Sequence, residues 1–366
     1  MSRILWLAPN LNHYKARFLN RLAQIEDLEL TVLAGKAAIN KGHREIQQKE
    51  AFNRIDVEAN KKRFSSTPEV YLAIYKAIVD KRYDAVLVPM EKKNIPLIVF
   101  LLFFRCLFHF SLVSYNHPTV TSGGGRVSRM NMWLTKIFFR IYDRVIFYTE
   151  DSREWAVYNS MIKVEKAFFA NNTLDTQNIW NHYNFNVTSL EFPTILFIGR
   201  LLPNKRLEDL IRYYQSLKKE IASLRLIVIG DGPCADVVRG AAQNDKHIEW
   251  CGALVNEEMI ANKMRQANLV FIPGHSGLSV LHAFAYGKPY LTIRSHDHAP
   301  EIEYLEPEIN GIILDGELEA DCERIVILLK NPERYEAMCR ASYNKAHELS
   351  IERWLEQMEL ALRFSE

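Results

Sequence analysis

The chain has 366 residues, 48% of them hydrophobic and 25% charged, with a formal net charge of +2. That is long enough for two ordinary domains and too rich in core-forming residues for a disordered chain. The near-neutral balance excludes a general nucleic-acid binder, so any basic site has to come from local clustering. Five scattered cysteines, Cys106, Cys234, Cys251, Cys322 and Cys339, lack the paired spacing of a zinc site and read as reduced core residues.

In chain order, RILWLAP opens the first strand with no charged and apolar leader before it, which reads as a cytoplasmic chain. The loop NLNHYKARF, a helix through Leu22 and the strand LELTVLAG come next, followed by a polar stretch from about Lys36 to Thr67. Helix PEVYLAIYKAIVDK and strand YDAVLVP lead to the apolar run IPLIVFLLFF, Ile95 to Phe104. Arg105 ends that run well short of the ~20 residues needed to span a bilayer. It reads as a buried helix that feeds the strand FSLVSYNH.

In GRVSRMNMWLTKIFFRIYDR, Trp133, Phe138 and Phe139 lie among Arg126, Arg129, Lys136, Arg140 and Arg144. Such a helix can rest on the inner face of an anionic membrane, or be an ordinary amphipathic helix with solvated charges; both readings stay open here. Strand RVIFYTE, helix DSREWAVYNSM and the segment AFFANNTLDT close the first half. The polar TQNIWNHYNFNVTSLEFP then separates it from a second core, with the boundary expected near Asn186. Because strands and helices alternate throughout, each half should be a parallel, doubly wound sheet.

The second half begins with TILFIGRLLPNKRLEDLI, Thr194 to Ile211, an apolar strand ending in Gly199 and Arg200, with Lys205 in the loop before an amphipathic helix. Cations at the carboxyl end of a strand, beside a helix N-terminus, occupy the place where an α/β domain binds phosphate. An arginine fork and a lysine point charge together could neutralise a diphosphate leaving group as a glycosidic bond breaks. After these come LRLIVIGDGP, HIEWCGAL, the helical NEEMIANKMRQA, the strand NLVFIPG and the block HSGLSVLHAFAYGKPYLT, His275 to Thr292.

This order of elements, with those strings, resembles the retaining family-4 glycosyltransferases, also grouped as glycosyl transferases group 1, which have the GT-B fold. The resemblance implies two Rossmann-like doubly wound domains facing across a cleft. Residues 1–186 would bind the acceptor, 187–350 would bind the nucleotide sugar, and 351–366 would form a helix returning to the first domain. It also implies that Gly199, Arg200 and Lys205 hold the donor diphosphate, a co-substrate rather than a cofactor. The family carries two glutamates eight positions apart in the block ending AYGKP; here Gly274 and His282 stand at those positions. His282 could still meet a ribose hydroxyl through its ring. The segment Gly274, His275, Ser276, Gly277 and Leu278 could offer backbone amides. Glu301, at the family's later carboxylate, and His298 become candidates for the donor sugar.

On the acceptor side the resemblance places His117, at the end of FSLVSYNH, as the histidine facing the donor sugar, and the loop after the first strand offers Asn12 and His13. The reading is a hexosyltransferase-like glycosyltransferase acting on a saccharide or lipid-linked saccharide in surface-polysaccharide assembly, such as lipopolysaccharide or capsule. No acidic metal motif is seen, so Arg200 and Lys205 should replace a divalent cation. A nucleotide-sugar epimerase or hydrolase of the same fold, or a catalytically degenerate scaffold partner, remains the alternative.

Overall fold

A computed structural model of the chain describes residues 1–9, 11, 13–36, 50–60, 62–117 and 129–364. Asn12, Arg126 and the loop glycines Gly123 to Gly125 lie outside them, as does the His13 side chain. The chain divides into two compact units, one made of Met1–Asn172 with the segment from Ile351 onward, the other of Thr173–Ser350.

The first unit holds seven strands, β1 (Ser2–Ala8), β2 (Leu28–Lys36), β3 (Asn53–Asn60), β4 (Ala85–Leu87), β5 (Ser111–Asn116), β6 (Arg144–Phe147) and β7 (Ala167–Phe169). They form one parallel sheet in the order β3-β2-β1-β4-β5-β6-β7. Helices α1 (His13–Leu22), α2 (Pro68–Asp80), α3 (Ile95–Phe108), α4 (Arg129–Ile141) and α5 (Glu150–Tyr158) connect them. From Ile4 to Ala8 every β1 residue is buried, because side chains on both faces of a parallel sheet are covered.

The second unit holds α6 (Thr176–Trp180), β8 (Thr194–Ile198), α7 (Leu207–Glu220), β9 (Arg225–Ile229), α8 (Ala235–Asn244), β10 (Ile248–Trp250) and α9 (Glu257–Met264). β11 (Leu269–Phe271), α10 (Ser279–Ala285), β12 (Tyr290–Ile293), β13 (Gly311–Leu314), α11 (Leu318–Leu329) and α12 (Pro332–Glu348) complete it. Its six strands are again parallel, in the order β10-β9-β8-β11-β12-β13. Strand order therefore reverses between β8 and β11, and the crevice outside the carboxyl ends of those two strands is where such sheets take ligands.

Four expectations need correction. The domain boundary falls at Asn172 and Thr173 instead of Asn186, because Leu174, Ile179 and Tyr183 are buried in the second unit's core. The polar stretch before Thr67 contains β3, whose pairing with β2 depends on backbone groups and needs no apolar run. His13 is the first residue of α1 instead of part of a loop. Finally, α3 is only half buried: Leu97, Ile98 and Leu101 face the core, whereas Ile95, Val99, Phe103 and Leu107 are exposed.

Helix α13 (Ile351–Leu362) packs in the first unit. Trp354 lies with its ring centroid 5.0 Å from that of Phe18, and its Nε1 donates to the Tyr115 hydroxyl at 3.0 Å. Arg144 donates to the carbonyls of Ala361 and Arg363 at 2.8 and 2.9 Å, holding the last turn by its unpaired carbonyls.

Candidate functional site

The loops that follow β8 and β11 meet at the switch point of the second sheet. After β8 the chain passes Gly199 and the exposed Arg200, then makes a short 3-10 turn, Pro203–Lys205. Arg206 follows in the left-handed region at φ 57°, which costs a non-glycine residue about 1 kcal/mol, and its Nε donates to Asp209 Oδ2 at 2.6 Å in the first turn of α7. That bend turns Lys205 back toward the β11 loop.

Lys205 Nζ donates to the His275 carbonyl at 2.5 Å, and the His275 amide donates to the Asn204 carbonyl at 2.8 Å. The two loops are thus laced together. Gly274 makes this approach possible: a β-carbon there would lie 2.1 Å from the Asn204 carbonyl oxygen and 2.7 Å from the Lys205 carbonyl carbon. The carboxylate that the resembled family carries at this position has no room here.

Burial, with Arg200 nearby, pulls the Lys205 ammonium down to about 8. Burial also lowers His275, helped by the charges of Lys205 and Arg200. A corner where cations depress one another's charge favours an anion, because a bound anion relieves both desolvation and repulsion.

Around this corner the predicted residues divide. Ser276 is fully buried; its amide donates to His298 Nδ1 at 3.1 Å, and its hydroxyl donates to Thr292 Oγ1 at 3.2 Å while accepting from the Tyr290 hydroxyl at 2.9 Å. Because His298 Nδ1 accepts, Nε2 is the nitrogen that donates, to the Ile293 carbonyl at 3.0 Å. Both ring nitrogens of His298 are therefore engaged with backbone, and burial lowers its basicity, reinforced by His275 and Lys205. Of the amides expected to face a ligand, those of His275 and Ser276 are used within the protein. Glu301, 4% exposed in the 3-10 helix Pro300–Tyr304, faces Gly277, where a β-carbon would lie 3.7 Å from its Oε2. Leu278 packs on the core ahead of α10.

His282 is 8% exposed on α10, and its Nε2 lies 2.9 Å from Glu257 Oε1. The Tyr286 hydroxyl, one turn further on, donates to the same oxygen at 2.6 Å. Burial and the adjacent carboxylate raise the Tyr286 pKa well above its ordinary value. Sequence reading did not single out Glu257, because it begins α9, far from the motif block, as an ordinary first-turn acid beside the cap Asn256. Asn204 and Asp297 were missed for a different reason: they meet His275 through backbone carbonyls, which side-chain identity does not show, and Thr292 closes the quoted block without a charge to mark it.

The acceptor-side candidates belong to the first unit. His117 follows β5 directly, is exposed, and its ring lies 4.9 Å from that of Tyr148. A surface cavity of about 260 Å³ in the second unit is lined by Arg225, Lys246 and His247, at the amino ends of β9 and β10. It is at the opposite end of the strands from Arg200 and Lys205.

Two Rossmann-like parallel-sheet units define the GT-B class. Residues 179–345 match the family model described as glycosyl transferases group 1, so the second unit is a glycosyl transferases group 1 domain. A GDP-mannose-dependent alpha-(1-6)-phosphatidylinositol monomannoside mannosyltransferase of Mycobacterium tuberculosis is 24% identical over 162 residues, 40% of this chain and 41% of that protein. The match thus spans less than half the length of this curated relative. Among solved structures, a glycosyltransferase from Rickettsia africae ESF-5 has a TM-score of 0.73 at 15% identity, covering 100% of this chain and 99% of the other. Sucrose-phosphate synthase from Thermosynechococcus elongatus has a TM-score of 0.72 at 15% identity, with 98% of each chain covered. At these identities the likeness establishes the fold.

Proposed function

We propose that the protein is a glycosyltransferase that moves a hexose from a nucleotide-diphosphate donor to a saccharide or lipid-linked saccharide, with retention, in surface-polysaccharide assembly. The observation that carries this reading is the Arg200 and Lys205 pair at the β8–β11 switch point of a glycosyl transferases group 1 domain. Two cations aimed at a leaving diphosphate supply the charge stabilisation that a divalent metal gives elsewhere, so no metal or cofactor is invoked. Glu257, held by His282 and Tyr286, supports the nucleoside end of the reading, as it brings a carboxylate beside the position where the family has one.

Arg200→Ala and Lys205→Ala should each lower transfer roughly a hundredfold, about 3 kcal/mol of transition-state stabilisation, with the fold intact. Transfer should persist in excess chelator. Since Lys205 loses its proton near 8 in the free protein, kcat/KM should fall as pH rises through that value, and Lys205→Arg should move this limb upward. Turnover within twofold of wild type in both alanine variants rejects the assignment. Acceptor-independent conversion of the donor would favour an epimerase or hydrolase instead.

A further inference from the structure

The outer helices of the first unit leave a broad apolar face uncovered. On α3, Ile95, Val99, Phe103 and Leu107 recur every four residues along a helix about 21 Å long, with Val99 60% and Phe103 66% exposed. Alongside it lies α2, with Tyr71 edge-on to Phe100 at 5.0 Å and Tyr75 to Phe104 at 5.7 Å. It adds exposed Leu72, Tyr75 and Val79. Helix α4 is tied to α3 and to the 3-10 turn, Lys92–Asn94, that precedes it. Lys92 Nζ donates to Asn131 Oδ1 at 2.5 Å, and Arg105 donates to the Ile141 carbonyl at 3.5 Å. It contributes Met130 and Trp133, the latter 64% exposed.

On α3 and α4 the charges are of one sign: neither helix contains an aspartate or glutamate, and Arg129 and Arg140 on α4 are exposed. On α2 the exposed Lys76 is accompanied by the exposed acids Glu69 and Asp80. A second copy docked by two-fold symmetry would set the same basic surface against itself. An anionic lipid surface instead takes the aromatic and aliphatic side chains into its interfacial layer and pairs the cations with headgroups. Among the described residues no helix is long and apolar enough to cross a membrane, so the contact is interfacial.

We propose that the α2–α3–α4 face docks the protein onto the surface of an anionic lipid bilayer. Co-sedimentation of the full chain tests this with vesicles of equal parts phosphatidylglycerol and phosphatidylcholine, against phosphatidylcholine alone. Wild type should pellet with the anionic vesicles and be released by high salt. Val99→Asn with Phe103→Asn should lower partition by roughly tenfold or more, as should Arg129→Gln with Arg140→Gln. Should the asparagine pair fail to fold, quenching of tryptophan fluorescence by brominated lipid, lost in Trp133→Phe, reads the same contact. Wild type remaining in the supernatant overturns the proposal, and so does undiminished pelleting after both pairs are replaced. A dimer dissolved by the asparagine pair, without vesicle binding, would assign the face to a second copy. Vesicle binding needs no nucleotide sugar, so its failure is separable from failure of transfer.

Discussion

Helices α3 and α10 invert the usual relation between composition and burial. α3 has one charged residue in 14, yet only Leu97, Ile98 and Leu101 are buried. α10 is just seven residues, SVLHAFA, includes a histidine and an N-terminal serine, and buries everything from Val280 to Ala285. The difference lies in what covers each one. α10 sits under α12 and beside β12, so its whole circumference meets protein; α3 lies on the outside of its sheet with α2 and α4 alongside, and one stripe has no protein cover among the described residues. Hydrophobicity supplies the tendency to leave water, and the neighbours decide whether a given side chain can.

The largest expected effect breaks or confirms that comparison directly. Phe284→Ala on α10 should destabilise the protein by about 3–5 kcal/mol, because a fully buried ring leaves a cavity in a packed core. Phe103→Ala on α3 should change stability by no more than about 0.5 kcal/mol. Denaturant melts of both variants give the contrast. Equal losses would mean that the α3 stripe is covered in solution.

Next comes the loop that leads into α10. Gly274→Glu restores the family's carboxylate on paper, yet it should cost about 3 kcal/mol of stability, because its β-carbon meets the Asn204 carbonyl. It should also abolish transfer by displacing Lys205. Near-wild-type melting with raised activity would show that the two loops do not approach as closely as described.

The smallest loss of function expected concerns the one polar residue on the buried face of α10. His282→Ala and Glu257→Gln should each weaken binding of a free nucleoside diphosphate by about 1 kcal/mol, roughly fivefold. Calorimetric titration beside a melting curve separates the roles. Unchanged affinity in a destabilised protein would make the pair an internal support of α10 alone.

Much of this protein is determined by short-range chemistry and is therefore visible in the sequence. Apolar runs of strand length alternating with amphipathic stretches dictate parallel sheets, and Gly199, Arg200 and Lys205 stand out because a strand end, a turn and two cations fall within a few residues. Tertiary structure decided the rest. Glu257 meets His282 only because α9 and α10 are brought together across 25 residues of chain. Gly274 must be glycine because another loop's backbone passes 2.1 Å from where its β-carbon would be. His298, read as a ligand for sugar, spends both ring nitrogens on Ser276 and Ile293, and the apolar α3, read as buried, keeps half its surface outside. Local pattern fixes which residues prefer a strand, a helix or a turn. Which side chains remain available to a ligand or a surface depends on partners distant in sequence.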